Sequence, residues 1–181
     1  MKKYEFDKLP VNEKFITLRG LAYWAKVHKP ETNKYKSTSY NLSLAIHTPE
    51  ALALCKKFGL ALKEPNDTIK HPYLQLKRTI KNPNDAAEVA KKRIIVVDTA
   101  QKEVPETILI GNGSDVDVKV SLYWSETTER VMATPSKMRV RKLVPYAARK
   151  EFEDVEDGFI AEEDPAPFSF EQGDDLPFLD A

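Results

Sequence analysis

The side chains best suited to chemistry in this sequence are flat rings set among cations. Tyr23, Trp24, Tyr35, Tyr40, Tyr73, Tyr123 and Trp124 interleave with Lys26, Lys34, Lys36, Lys77, Arg78, Arg93, Lys119, Arg139 and Arg141. A ring face stacks on a nucleobase for about 1–3 kcal/mol, and cations beside it neutralise phosphates. The mixture suits a single-stranded nucleic acid held without regard to its sequence. For each ring taken alone, the competing reading is packing in a core or at the end of a barrel.

Catalytic chemistry is poorly served. His28, His47 and His71 have no spacing to cysteines or carboxylates that would build a metal site. Gly111-Asn112-Gly113-Ser114 is not followed by the Gly-Lys-Ser or Gly-Lys-Thr of a phosphate cradle, and reads as a turn that uses glycine for positive φ. Cys55, the single cysteine, lies in an apolar run, so a packed thiol in a reducing compartment is expected and no disulfide framework exists. The acidic residues of the first 150 positions are expected in loops, which gives a two-metal nuclease no footing. No enzymatic activity, cofactor or metal is expected.

The charges are segregated. All 28 basic residues lie at or before Lys150, where 16 acidic residues leave a net +12, whereas residues 151–181 hold twelve acidic residues and no basic one. Such a block asymmetry points to a polyanionic partner and to an acidic segment that imitates it. A coil of about 31 residues has an r.m.s. span of roughly 30 Å, and a tethered ligand acts at an effective concentration on the order of millimolar. The segment is therefore expected to occupy a basic groove until a stronger polyanion displaces it. Five of the eight phenylalanines also fall in it, which a segment serving solubility alone would not need.

Positioning these groups requires mostly strands. Residues 15–28 are rich in aromatic and β-branched types, and 38–47 alternate with Tyr40, Leu42, Leu44 and Ile46 on one face, so the two read as paired strands joined by a basic loop at 29–37. A helix is expected at 50–58, with Lys56 and Lys57 in its last turn and Gly59 at its C-terminal cap. Further strands are expected at 73–80, 93–97, 108–110, 116–124, 130–133 and 138–144, with a helical turn at 86–91. Alternation turns Leu74, Leu76, Val116, Val118, Val120 and Val140 inward and Tyr73, Gln75, Lys77, Lys119, Arg139 and Arg141 outward. The expected fold is mainly β: a five-stranded Greek-key barrel of the oligonucleotide-binding type, with extra strands and one or two short helices. Residues 1–160 would form the binding domain and 161–181 a disordered acidic tail.

Several stretches carry a family resemblance. Lys77-Arg78, Arg93-Ile94-Ile95-Val96-Val97-Asp98, Ile108-Leu109-Ile110-Gly111-Asn112-Gly113-Ser114-Asp115-Val116-Asp117-Val118, Tyr123-Trp124 and Arg141-Lys142-Leu143-Val144-Pro145-Tyr146 resemble the single-stranded-DNA-binding proteins of tailed bacteriophages, as does the acidic junction at 152–159. The resemblance implies an oligonucleotide-binding fold, a role in coating single strands during replication, recombination and repair, and an acidic tail. The tip Asp174-Asp175-Leu176-Pro177-Phe178 is similar to the one by which bacterial single-stranded-DNA-binding proteins recruit replication and repair enzymes, except that Leu179-Asp180-Ala181 follow the phenylalanine. Polymerase, helicase, primase or nuclease partners are implied, with either a monomer or a homodimer.

No apolar run approaches the roughly 20 residues that span a bilayer, and no signal-peptide core follows Met1, so the expected location is the cytoplasm, that of the host for a phage protein. Two other readings stay open. One is an acidic-tailed adaptor for basic proteins; the other is an RNA-binding protein of the same fold, since only contacts to the 2′-hydroxyl separate the two nucleic acids.

Overall fold

One long strand organises the body. β1, Phe15–Thr32, turns Leu18, Gly20, Ala22 and Val27 to the core and leaves Thr17, Arg19, Trp24 and Lys26 exposed, the alternation of a strand with one wet face. Its first part pairs antiparallel with β5, Ser114–Ser125, from Phe15↔Ser121 to Ala22↔Ser114. The later part pairs with β2, Thr38–Ala45, from Leu21↔Ala45 to Thr32↔Thr38. This computed structural model describes residues 1–146, so the acidic segment, the 152–159 junction and the tip at 174–178 lie outside the described residues.

Around β1 the sheet continues in both directions. β3, Tyr73–Ile80, joins β2 antiparallel, and β6, Arg130–Lys142, joins β5 antiparallel. The short β4, Ile95–Val97, adds in parallel to β6 at Lys137, Met138 and Arg139. The outer strand β3 meets β6 where Arg78 donates from Nη1 to the Pro135 carbonyl at 2.9 Å. Five strands thereby wrap into the expected oligonucleotide-binding arrangement, with β4 as an extra strand. The barrel interior is aliphatic, with Leu18, Leu44, Val116, Val118, Val120 and Met138 all fully buried.

Three short helices complete the body: α1, Lys3–Asp7, α2, Pro49–Phe58, and α3, Ala86–Lys92. The expected helix is α2. Its start is fixed by the Thr48 side chain, which accepts from the Ala51 N–H at 3.4 Å, and its end by Gly59 at φ 64, a conformation that glycine adopts without strain. Ala51, Cys55 and Phe58 form its buried face. Burial pushes the Cys55 thiol up to about 11, as expected of a packed cysteine in apolar surroundings.

Several expectations are corrected. The runs at 130–133 and 138–144 are one strand, because Ser136 forms a bulge between the pairs Lys119↔Lys137 and Val120↔Pro135 and gives the proline, which has no N–H, a place in the ladder. β1 extends to Thr32, which shortens the expected loop to its tip. Residues 108–110 form no strand and contribute one bridge, Ile110↔Pro145. Asp115 and Asp117 lie in β5 and not in a loop.

Gly20 marks where β1 is handed from β5 to β2. A Cβ there would overlap the Ala45 carbonyl oxygen and press on the Leu44 side chain. Gly20→Ala is expected to lower stability by about 2–3 kcal/mol in urea unfolding, the cost of overpacking a close-packed contact; an unchanged midpoint would show that the crossing has slack. Cys55 should resist alkylation at pH 8 in the native chain and react at an ordinary rate in urea, and rapid native-state reaction would contradict its burial.

Candidate nucleic-acid interface

Register across β1, β2 and β3 lines up polar side chains on the outer surface. Lys26, Asn41 and Lys77 form one row, and Tyr23, Ser43 and Gln75 form another. Trp24, Lys26, Asn41, Ser43, Gln75 and Lys77 line a cleft of about 450 Å³ together with Leu42, Leu76 and one carboxylate, Glu31. A strand face of this kind, flanked by the loop between the first two strands, is the usual binding surface of an oligonucleotide-binding fold.

Trp24 is set by two local features. The step from Tyr23↔Ser43 to Lys26↔Asn41 carries one extra residue on β1, a bulge. Within it Trp24 has φ 47, in the left-handed region that non-glycine residues seldom enter. Its N–H donates to Asn112 Oδ1 at 2.8 Å, so the Gly111–Ser114 turn holds the bulge from the side. The indole stays 48% exposed, with its centroid 6.1 Å from that of Tyr23.

The loop at 33–37 is wound around one side chain. Asn33 Oδ1 accepts from the N–H groups of Tyr35 and Ser37, each at 3.0 Å. Lys36 takes φ 59, and the Tyr35 ring stands 76% exposed with Lys34 Nζ 5.0 Å from its centroid. Lys77 Nζ donates to Ser37 Oγ at 3.5 Å, joining the loop to the strand face. Trp24, Lys26 and Lys77 thus share one cleft, Tyr23 stands beside Trp24, and the loop that carries Lys34, Tyr35 and Lys36 is tied to the strand face through Ser37.

The other expected residues are distributed elsewhere. Lys119, Tyr123, Arg139 and Arg141 lie on the outer surface of β1, β5 and β6. Arg139 Nε donates to Asp117 Oδ2 at 2.9 Å, and Arg141 Nη1 donates to the same oxygen at 3.1 Å. Trp124 is half-buried against the core, Tyr73 is half-buried at the start of β3, and Arg93 pairs with Glu103 at 2.6 Å. Arg78 serves the β3–β6 seam, where burial lowers the guanidinium's affinity for its proton. Tyr40 is a correction: it is 1% exposed, with its phenol pushed up by burial, so its ring has no face left for a base.

Some interface residues escaped sequence reasoning. Asn41 and Ser43 alternate with the core residues Leu42 and Leu44, a period-two signal that turns both away from the core but not into a site, and Ser43 is only 7% exposed there. Asn112 was legible only as part of a turn, because its role depends on that turn meeting a bulge 88 residues away in sequence. Among the described residues no cluster of three or more His, Cys, Asp or Glu is placed to hold a metal ion.

On the β1–β5–β6 surface the Arg19 guanidinium, 2.7 Å from Asp115, holds that carboxyl below the usual aspartate range. A depressed pKa contributes stability that is complete above the unfolded value of about 3.9 and is lost as pH falls through the folded value. Asp115→Asn is therefore expected to lower the urea midpoint at pH 7, with the gap to the unchanged chain closing below about pH 4; a gap that persists at pH 2 would rule out the ion pair as its source.

No protein-family model and no curated protein matches the chain. Among solved structures it is similar to gp2.5, a single-stranded DNA binding protein encoded by bacteriophage T7, with TM-score 0.53 and 20% identity over 82% of this chain and 98% of that one. It is also similar to the single-stranded DNA-binding protein from bacteriophage Enc34 in complex with ssDNA, with TM-score 0.51 and 11% identity over 74% of this chain and 90% of that one. The chain has the fold of these two phage proteins.

Proposed function

We propose that the protein is a non-enzymatic, sequence-independent single-stranded-DNA-binding protein. The observation that carries this reading is the β1–β2–β3 cleft, where an exposed indole lies among Lys26, Lys77, Asn41 and Gln75 beside a loop presenting Tyr35. Rings supply sequence-tolerant stacking and lysines neutralise phosphates. The two phage proteins that share the fold are described as binders of single-stranded DNA, one of them in complex with it.

The binding domain is taken to extend to about residue 160, with 161–181 as a separate acidic tail. The acidic segment competes with DNA for the basic body, and its tip, Asp174-Asp175-Leu176-Pro177-Phe178, recruits enzymes of replication, recombination and repair in the cytoplasm, that of the host for a phage protein. Charge carries this part: +12 in the first 150 residues faces −12 in the remainder.

Polarisation titration of a labelled dT oligonucleotide of about 30 nucleotides, against the matching duplex and RNA, tests the core claim. Tight binding that favours single-stranded DNA, weakens as salt rises and quenches Trp24 is expected; equal affinity for all three would remove it. Trp24→Ala with Tyr35→Ala should cost at least one stacked base, about 1–3 kcal/mol, without loss of folding. A chain ending at residue 160 should bind single strands more tightly than the full chain at low salt. Equal affinity would end the competing-segment reading.

A further inference from the structure

The outer surface of β1, β5 and β6 carries a second polar arrangement that the cleft does not use. Register sets Thr17, Lys119 and Lys137 in one row and Arg19, Asp117 and Arg139 in the next. Thr17, Gln101, Lys119, Lys137 and Arg139 surround a hollow of about 270 Å³, with Asp117 also lining it. Three cations thus face one carboxylate there. That carboxylate is already bound to Arg139 and Arg141 and is 8% exposed, so it orients the guanidiniums and offers little surface of its own.

The remaining donors are free of carboxylates. Among the described residues neither Lys119 nor Lys137 has an acidic partner within ion-pair distance, and Lys137 Nζ donates to the neutral Gln101 Oε1 at 3.1 Å. Gln101, at φ 65, lies within a turn in which Asp98 Oδ1 accepts from the N–H groups of Ala100 and Lys102 at 2.8 and 2.9 Å. Two lysines, a guanidinium, a hydroxyl and an amide are the donor set of a phosphate site. Phe15 lies two residues from Thr17 on the same face, roughly 7 Å along the strand. It is 47% exposed, and Lys119 Nζ is 5.9 Å from its centroid. An exposed ring therefore stands next to the phosphate donors.

We infer that this hollow is a second phosphodiester site, which takes a separate segment of single-stranded nucleic acid so that one chain holds two segments at once. The inference rests on the proposed function, with β1 as the wall between the two sites. A nucleic acid suits the pairing of ring and cations better than an acidic peptide, which has no flat base to lay on Phe15.

The test uses the full chain and two dT oligonucleotides of about ten nucleotides, one carrying a donor dye and the other an acceptor, with Trp24 fluorescence, read in a Trp124→Phe background, reporting the cleft. Energy transfer between the dyes is expected for the unchanged chain. Lys137→Glu, and Lys137→Gln as the milder change, should weaken the second oligonucleotide roughly tenfold, the loss of one charge-assisted contact, while Trp24 quenching by the first persists. The slope of log affinity against log salt for a 30-nucleotide strand should fall by about 0.7. Energy transfer that survives both variants at full strength overturns the second site and leaves the cleft standing. Absence of any binding by the unchanged chain removes the proposed function and this site together. Loss of a glutamate-rich peptide's binding in Lys137→Glu, with oligonucleotide binding intact, assigns the hollow to an acidic protein partner and also overturns the proposal.

Discussion

Everything in this body depends on one strand being able to hold a different partner along each of its edges. β1 is 18 residues long, and its pairing passes from β5 to β2 within two residues of Gly20. At the crossing the backbones come so close that any side chain would occupy the Ala45 carbonyl. A strand that stayed flat would keep its partners in one open sheet; a coiled one lets the sheet close into a barrel. Closure in turn gives the β1–β2–β3 and β1–β5–β6 surfaces different outlooks, and each collects its own polar side chains. The last seam, β3 to β6, is held by Arg78 reaching the carbonyl of a proline.

The two surfaces manage charge differently. On the β1–β2–β3 side the polar groups are mostly neutral, Asn41, Ser43 and Gln75, and lysines rise from among them. On the β1–β5–β6 side two aspartates stand in the strand itself and are matched by Arg19, Arg139 and Arg141. Asp117, nearly buried, needs such partners because a carboxylate withdrawn from water without them would be costly. The arginines gain fixed orientation from the exchange. Lysine could not do the same, since its ammonium lacks a planar fork to hold two bonds to one carboxylate.

Much of the body was legible because period-two alternation is strong where one face is aliphatic. Leu74 and Leu76, the three valines of β5 and Val140 all turned inward as their spacing required, and the Pro49–Phe58 helix announced itself through its apolar face and Gly59. What failed were features that alternation cannot carry. Tyr40 obeyed the pattern and so went into the core, although its residue type suggested stacking. Pro135 split one strand into two apparent runs, because a proline in a ladder is tolerated only where a bulge excuses its missing N–H. Trp24 reached the cleft through a bulge and the carbonyl of a distant asparagine, and neither leaves a periodic trace.

The winding of the 33–37 loop has a further consequence. With the Asn33 side chain accepting from two backbone N–H groups, those of Tyr35 and Ser37, the chain around Tyr35 is ordered before any ligand arrives. Ordering a free backbone residue costs about 1–2 kcal/mol of conformational entropy, and here that cost is met during folding. What remains to be frozen on association is a few side-chain torsions of Tyr35 and its lysine neighbours. A stacked base on this ring therefore loses less of its interaction energy to ordering the protein, because the loop is already organised by the Asn33 side chain and by the backbone bonds of Asn33 to Ser37 and Lys36.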